Sequence, residues 1–164
     1  QGTIDRYYRD HLRRKLGLRE DKDEEEIVGW AKDVGVEDSY SDSDIPWCGL
    51  FEGKIQVDAQ CKIPDEPLWA LDWNKFGFKL TEPAYGATLV FKRDGGGHVG
   101  NYISEEEDYF HVLGGNQGNK VCIKKIAKAN LVGIRWPNEY KDRLKKGRIF
   151  AQLDEEIISS SQMA

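Results

Sequence analysis

The spacing of apolar residues changes near Ala84, and this change restricts the chain to folds in which helices precede a sheet. Before Ala84, apolar side chains recur every three or four positions, as in amphipathic helices. After it, short β-rich runs alternate with turns rich in glycine and amide residues. The sequence therefore predicts an α+β fold, with N-terminal helices packed on an antiparallel sheet of about five strands.

The part before Ala84 contains four predicted helices. The second begins with acidic residues that complement the helix dipole and ends at Gly35, a suitable C-cap. In the fourth, Trp69, Trp73 and Phe76 recur at helical spacing, which favours a place in the core over a ligand platform. The predicted helices cover residues 4–16, 23–34, 46–59 and 68–76.

Five strands are predicted after the change, and we expect them to form a meander. An Asp-Gly pair within residues 94–97 indicates a hairpin turn, and a second turn at residues 114–119 is rich in glycine and amide side chains. Pro137 ends the pattern. The predicted strands cover residues 87–91, 98–103, 109–113, 121–123 and 131–136.

Charge and hydropathy argue against two classes of partner. The chain of 164 residues has a formal net charge of −5, whereas nucleic-acid binding needs a clustered basic surface. No apolar run approaches the roughly 18 residues that a membrane span requires. The first residues are charged where the apolar core of a secretory signal would lie, so no signal peptide is predicted and the localisation stays open.

The spacing of the three cysteines predicts neither a disulfide framework nor a zinc site. Cys48, Cys61 and Cys122 form no C-x-x-C pair, and their odd number leaves at least one thiol free. His98 and His111 fall on separate predicted strands, with no acidic or thiol ligand at metal-binding spacing. We therefore expect no metal, and no cofactor motif is present in the sequence.

Cys48 is the candidate nucleophile because it is predicted to lie in or beside the first turn of a helix. Asp42, Ser43 and Asp44 are candidate N-caps, and Pro46 suits the first turn. Free backbone N–H groups and the helix dipole at such a place lower a thiol pKa. The alternative is that a lone cysteine beside Trp, Leu and Phe is a small buried hydrophobic residue.

His98 is the candidate general base. It opens a predicted strand directly after three glycines, whose missing side chains leave room for a substrate backbone beside the imidazole. Strand alternation places His98, Gly100 and Tyr102 on one face, so the histidine has open space next to it. The alternative is a purely structural histidine at a strand end. His11, on a predicted helix among arginines, is expected at the surface.

Four strings follow one another along the chain: IPWCGLF, PAYGATLVFKRDGGGHVGNYI, VLGGNQGN and LVGIRWP. In this order they resemble the papain-like cell-wall hydrolases of bacteria and phages, above all the CHAP (cysteine, histidine-dependent amidohydrolase/peptidase) and NlpC-type group. The resemblance covers about residues 26–137. It implies a papain-like fold and hydrolysis of a peptidoglycan amide bond, with Cys48 as nucleophile, His98 as base and Asn116 as the residue that orients the histidine.

Three features depart from that family pattern. Gly114 stands where many CHAP members have a glutamate, so a carboxylate that would stabilise imidazolium is missing. NlpC-type relatives place the third polar residue about a dozen positions after the base, which makes His111 the alternative to Asn116. Alternation places these two on opposite faces unless Gly114 and Gly115 form a bulge, and Asn116 is favoured. The stretch GLFEGKIQ after Cys48 is more polar than its family counterpart, which predicts a less buried helix.

The resemblance divides the chain into three parts. We expect a helical extension over residues 1–22, a papain-like catalytic domain over 23–137 and a charged, partly helical extension over 138–164. Trp47, beside the candidate nucleophile, suits a cleft wall and the core equally well.

Two other functions stay open at this point. The same fold can serve as a catalytically silent virion or wall-binding module, or carry a papain-like thiol that acts on other substrates. For a wall hydrolase, the context of a phage lysin, a tail enzyme or a toxin fits equally, with a holin, phage tail or secretion device supplying transport. Peptidoglycan is then the expected partner, and a monomer is the simplest oligomeric state.

Overall fold

The computed structural model describes residues 17–19, 23–40 and 46–153. The predicted first helix at residues 4–16, the candidate caps Asp42, Ser43 and Asp44, and the end of the chain after residue 153 lie outside the described residues.

The described chain has two α-helices, three short 3-10 helices and six strands. The α-helices are α1 (Glu24–Val34) and α2 (Cys48–Asp58), and the 3-10 helices are η1 (Ala70–Lys75), η2 (Lys128–Asn130) and η3 (Asn138–Arg143). The strands are β1 (Phe78–Leu80), β2 (Thr88–Arg93), β3 (Gly96–Glu105), β4 (Tyr109–Gly114), β5 (Cys122–Ala127) and β6 (Leu131–Trp136).

The strands form one antiparallel sheet in the order β1-β6-β2-β3-β4-β5. The predicted α+β class is therefore confirmed, but the prediction of about five strands in a meander was wrong in two respects. The three-residue strand β1 is a sixth member, and β6 crosses back to pair with β2 instead of β5. The consecutive strands β2 to β5 do form hairpins, and β3 lies near the middle of the sheet.

The helix α1 forms where the apolar spacing predicts it. Its buried residues form one stripe, and Gly35 ends it in the left-handed conformation with φ of 84°, which costs a glycine little. The stripe packs on α2, where Gly53 lies against Val34: a Cβ at position 53 would lie 3.0 Å from a Val34 methyl group. The aromatic contacts of Trp30 with Trp47 and Phe51 fill the rest of the interface.

The helix α2 is almost entirely enclosed, so the prediction of a less buried helix was wrong. Its buried residues include the polar Glu52 and Gln56 as well as the two glycines. Trp47, directly before the helix, is completely buried in the same core cluster. Glu52 therefore faces the sheet and has to find its hydrogen-bond partners there, whereas Lys54 pairs with Asp33 of α1.

The sheet separates two apolar clusters. Val90 and Val99 pack with Cys48 and η1 on one face, whereas Phe91 and Tyr102 belong to the cluster on the other face. The alternation predicted for β3 is thus present, with Val99 and Tyr102 on opposite sides.

The predicted helix over 68–76 is a 3-10 helix, and its three aromatic residues do not share one environment. Trp73 and Phe76 are buried, as predicted, but Trp69 is 61% exposed. The segment after Pro137 is only briefly helical in η3 and then runs along the sheet, where Phe150 forms a parallel bridge to Glu105.

Candidate functional site

Cys48 is the first residue of α2. Pro46 precedes the helix rather than standing in its first turn, and Trp47 occupies the N-cap position without a side-chain capping bond. The next residue, Gly49, leaves no room for a side chain because a Cβ there would collide with the carbonyl oxygen of Pro67. The start of the helix is therefore pressed against the loop that leads into η1, and Cys48 is only 3% exposed.

Burial raises the pKa of the Cys48 thiol above its ordinary value. Three backbone N–H groups oppose this, because Val99, Gly49 and Cys48 itself donate toward the sulfur, and the charge of Arg93 also favours a thiolate. The helix start thus supplies the predicted stabilisation, but desolvation outweighs it. In the resting site the sulfur is a neutral thiol.

His98 lies on β3 opposite Phe91 and is completely buried. Its Nε2 atom lies 2.8 Å from Oε1 of Gln117. Since an amide oxygen only accepts, Nε2 carries the proton and donates it, which leaves Nδ1 as the basic nitrogen. Among the described residues, Nδ1 has no hydrogen-bond partner.

Burial, with smaller contributions from the charges of Arg93 and Lys124, lowers the pKa of His98 to about 4. The hydrogen bond to Gln117 acts in the opposite direction without cancelling the effect. The imidazole is therefore neutral at pH 7, with a free Nδ1 that can accept a proton.

The amide of Gln117 is itself held in one orientation. Its Nε2 atom donates to the carbonyl oxygens of Val112 and Cys122, at 3.1 Å and 2.6 Å. These two bonds fix which end of the amide faces the histidine, and so they also fix the tautomer of His98. Gln117 is a positioning group that our sequence reasoning missed.

Asn116, which the resemblance suggests for this contact, is the preceding residue. It has a φ of 55°, a left-handed conformation that asparagine tolerates better than most residues, and it shapes the turn that carries Gln117. The GGNQ string contains two adjacent amides. The longer of the two side chains, that of Gln117, reaches the His98 ring. The direction in which each side chain points from this turn therefore decides which amide contacts the histidine.

The two glycines before this pair allow the close approach. A Cβ at Gly114 would lie 2.7 Å from Oε1 of Gln117, and a Cβ at Gly115 would lie 2.5 Å from Cβ of Phe51. The chain therefore passes between the His98–Gln117 pair and α2 only because both positions lack side chains. A glutamate at position 114 would displace Gln117.

His111, the alternative third residue, is engaged elsewhere. Its Nδ1 and Nε2 atoms lie 2.6 Å from Ser104 Oγ and 2.6 Å from Glu106 Oε2. The structure does not bring it to His98, in agreement with the opposite face that alternation predicts.

The structure does not bring Cys48 and His98 together, because Cys48 packs with Val99 on one face of β3 whereas His98 shares the opposite face with Tyr102. The Val99 N–H points at the sulfur, and His98 is the residue directly before it. Because Nδ1 is unpartnered, the resting site has no hydrogen bond from the thiol to that atom. Proton transfer from sulfur to Nδ1 would require both side chains to reach the same face of the sheet, which this arrangement does not provide.

Glu52 adds a group that sequence reasoning did not single out, one helical turn after Cys48. It is completely buried, and Asn101 donates to its Oε1 at 2.7 Å. Gln56 and Thr88 donate to the other oxygen, at 3.1 Å and 3.2 Å. Burial raises the pKa of Glu52 to about 7, and these three bonds only partly offset the effect. The bonds from Thr88 and Asn101 attach α2 to β2 and β3.

Among the described residues, no group of three or more His, Cys, Asp and Glu side chains is arranged to hold a metal ion. None of the described helices has the length and apolarity to cross a bilayer.

Comparison of the chain with protein-family models, with curated proteins and with solved structures found no significant match. The motifs and the geometry of the site are therefore the basis on which a function can be proposed.

Proposed function

We propose that this chain is a papain-like cell-wall hydrolase of the CHAP or NlpC type, which cleaves an amide bond of peptidoglycan through Cys48 and His98. The bond lies within the stem peptide or between N-acetylmuramic acid and L-alanine. The observation that carries the proposal is the start of α2, where Cys48 is the first helical residue and the backbone N–H groups of Val99, Gly49 and Cys48 surround its sulfur.

The groups of the site suit an acyl-transfer sequence. In the proposed sequence, the two side chains first reach the same face of β3, the Cys48 proton then passes to His98 Nδ1 as the sulfur attacks the substrate carbonyl, and the backbone N–H of Cys48 stabilises the oxyanion. His98 then protonates the departing amine, and water hydrolyses the thioester. In this sequence Gln117 takes the orienting role that the resemblance gives to Asn116.

The pH dependence of such an enzyme follows from the neutral states of the Cys48 thiol and the His98 imidazole. Since the pKa of His98 is lowered to about 4, Nδ1 stays available as a base well below pH 6.5. We expect kcat/KM on soluble muropeptides to fall only near pH 4, with stability followed in parallel by circular dichroism. An acid limb near pH 6.5 would contradict the role of the buried imidazole.

The decisive experiment is the release of fragments from purified peptidoglycan, followed by turbidity and mass spectrometry. The native chain should release fragments, Cys48→Ala should release none, and the matched control Cys61→Ala should retain activity because Cys61 lies outside the His98 contacts. The fragment masses identify the bond. Equal activity in native chain and Cys48→Ala would reject the thiol mechanism.

The second candidate is a catalytically silent virion or wall-binding module. The near-complete burial of Cys48 and the shift of both site pKa values toward the neutral forms favour it. It predicts that the native chain binds cell walls but releases no fragments from several wall types, and that iodoacetamide does not label Cys48 selectively near pH 7.

A further inference from the structure

The sheet is curled, which brings β5 close to β6. Only the three residues Lys128–Asn130 of η2 link these strands, although β4, β3 and β2 lie between them in the sheet. Four strand spacings of a flat sheet measure about 19 Å, whereas the chain from Ala127 to Leu131 spans at most about 14 Å. Ile126 of β5 and Ile134 of β6 accordingly belong to one apolar cluster, which fills the inner face of the curled sheet.

Three basic side chains lie on this inner face, at the end of the sheet that carries His98. Arg93 follows Phe91 by two residues, and Phe91 pairs with His98. Lys124 pairs with Val112, and both Phe91 and Val112 belong to the inner cluster. Because side chains alternate along a strand, Arg93, His98 and Lys124 all point to the inner face. The charge of Arg93 acts on the other two groups and that of Lys124 acts on His98, so the three lie within electrostatic reach of one another.

Hydrogen bonds also connect His98 to the strand that carries Lys124. His98 Nε2 donates to Oε1 of Gln117 at 2.8 Å. Gln117 Nε2 lies 2.6 Å from the carbonyl oxygen and 3.7 Å from the sulfur of Cys122. Cys122 precedes Lys124 by two residues, so both side chains lie on one face of β5. The imidazole is therefore fixed relative to the part of β5 that carries the lysine.

Lys124 is a buried amine without a partner. The residue is 2% exposed, and among the described residues its Nζ has no hydrogen-bond partner. The charged groups that influence the pKa of Lys124 and of His98 are Arg93, Cys122 and Lys124 itself, with no carboxylate of the described chain among them. Burial lowers the pKa of Lys124 to about 8, so the amine is still mostly an ammonium at pH 7. An ammonium buried beside another cation is stabilised by an anion.

We propose that Lys124, flanked by Arg93 and His98, binds a small anion on the inner face of the sheet. The anion accepts a hydrogen bond from the Lys124 ammonium, and its charge favours the protonated form of His98. The ligand class is a monovalent anion of the size of chloride or nitrate, because both Lys124 and His98 are excluded from solvent. The site goes beyond the proposed hydrolysis, since it lies on the face of β3 opposite Cys48.

The first test titrates chloride at constant ionic strength, with sodium gluconate as the balancing salt because its anion is too bulky for a buried site. Binding is followed by the ³⁵Cl line width, and in the native chain also by the ¹³Cε signal of Lys124. We expect a saturable response in the native chain and none in Lys124→Met. The matched control is Lys125→Met, which removes the neighbouring lysine that pairs with Glu106 and should respond like the native chain. No saturable response in the native chain, or an unchanged response in Lys124→Met, overturns the site.

The second test measures pH dependence in the native chain and needs no substitution at Lys124. Since the ammonium is the binding form, chloride affinity should fall about tenfold for each pH unit above 8. By linkage, saturating chloride should raise the pKa values of Lys124 and of His98, read from ¹³Cε and imidazole ¹⁵N shifts. Unchanged pKa values, or an affinity that does not depend on pH, overturns the proposal.

Cys122→Ala is the control for the second test, because ionisation of this thiol at high pH would also repel an anion. The variant should keep the pH dependence of chloride binding. Loss of that dependence in Cys122→Ala would assign it to the thiol and overturn the role of Lys124.

Discussion

The two ends of β3 differ in whether their buried polar groups have hydrogen-bond partners. At one end, which we call the His98 end, a buried imidazole leaves Nδ1 without a partner among the described residues. At the other, the Glu105 end, a buried carboxylate lies 2.7 Å from both Lys128 and Arg148 and accepts from Tyr102 at 2.6 Å. An unpartnered buried polar atom costs stability, so the His98 end lowers the stability of the fold in a way that the Glu105 end, with its paired carboxylate, does not.

The pKa of Glu105 is controlled by the cations that contact its carboxylate. Burial alone would raise the pKa of Glu105, but the bonds from Lys128, Tyr102 and Arg148 hold it below its ordinary value. The backbone of Glu105 also pairs with the C-terminal segment, accepting from Ala151 and donating to Ile149. Glu52 is the informative counterpart, because it is equally buried, lacks a cation among its hydrogen-bond donors and has a raised pKa.

The largest effect should come from removing both cations of the Glu105 end. In Lys128→Met/Arg148→Met the Glu105 carboxylate stays buried without a counter-charge, so we expect a loss of about 3–5 kcal/mol in the free energy of unfolding. Urea denaturation monitored by circular dichroism measures it. Adding Glu105→Gln should restore part of the loss. A triple variant no more stable than the double variant would show that packing, rather than charge, holds this end.

The next effect concerns Glu52. The pKa of Glu52 is about 7 in the folded protein, whereas its ordinary value, expected in the unfolded chain, is 4.5. As pH rises, the unfolded chain therefore releases the Glu52 proton at a lower pH than the folded protein does. Stability should therefore fall as pH rises from about 4.5 to 7, by about 3 kcal/mol in total. His98 has the opposite sign, since its lowered pKa costs stability as pH falls from 6.5 toward 4.

Glu52→Gln removes the contribution of Glu52 to the pH dependence of stability and leaves that of His98. The difference between the two unfolding curves, measured by urea denaturation at several pH values, isolates Glu52. Parallel curves for native chain and variant would mean that the carboxylate is not buried as the structure has it.

A smaller effect tests the His98 end directly. Gln117→Leu removes the acceptor that fixes the tautomer, so kcat/KM on peptidoglycan fragments should fall about 10²-fold. Imidazole ¹⁵N shifts should show a mixture of tautomers in the variant. Asn116→Gly is the control, because it keeps the left-handed backbone and should change activity little. The reverse result would return the orienting role to Asn116.

The smallest effect is expected at Phe150, which is 67% exposed and lies with its ring 5.7 Å from Lys128 Nζ. Phe150→Ala removes a weak cation–π contact but leaves the backbone pairing with Glu105 intact, so unfolding should change by less than about 1 kcal/mol. Thermal unfolding measures it. A larger loss would mean that side-chain packing, rather than backbone pairing, attaches this segment.

Local signals in the sequence predicted local structure well. Apolar spacing located α1, Gly35 marked its end, and the two glycine-containing turns separated β2 from β3 and β4 from β5. The prediction failed where structure depends on distant partners. Three residues of β1 carry too little pattern to be found, because their strand exists only through pairing with β6.

The same distinction holds for the site. The helix start at Cys48 and the strand position of His98 follow from local signals. The choice of Gln117 over Asn116 depends on side-chain reach across a turn, and the burial of Glu52 depends on donors from two strands. The exposure of Trp69 could not be predicted either, because the segment is a 3-10 helix that begins only at Ala70, so α-helical spacing does not apply to Trp69.

The return of β6 to the far side of β2 has a consequence for synthesis on the ribosome. The hairpins from β2 to β5 join neighbours in sequence and can pair as each emerges, whereas β1 and one edge of β2 wait for residues 131–136. Until β6 has been synthesised, the nascent chain therefore exposes an unpaired edge of β2, which can pair with another chain and lead to aggregation. A chain shortened before residue 131 would lose two strands of the sheet, not one.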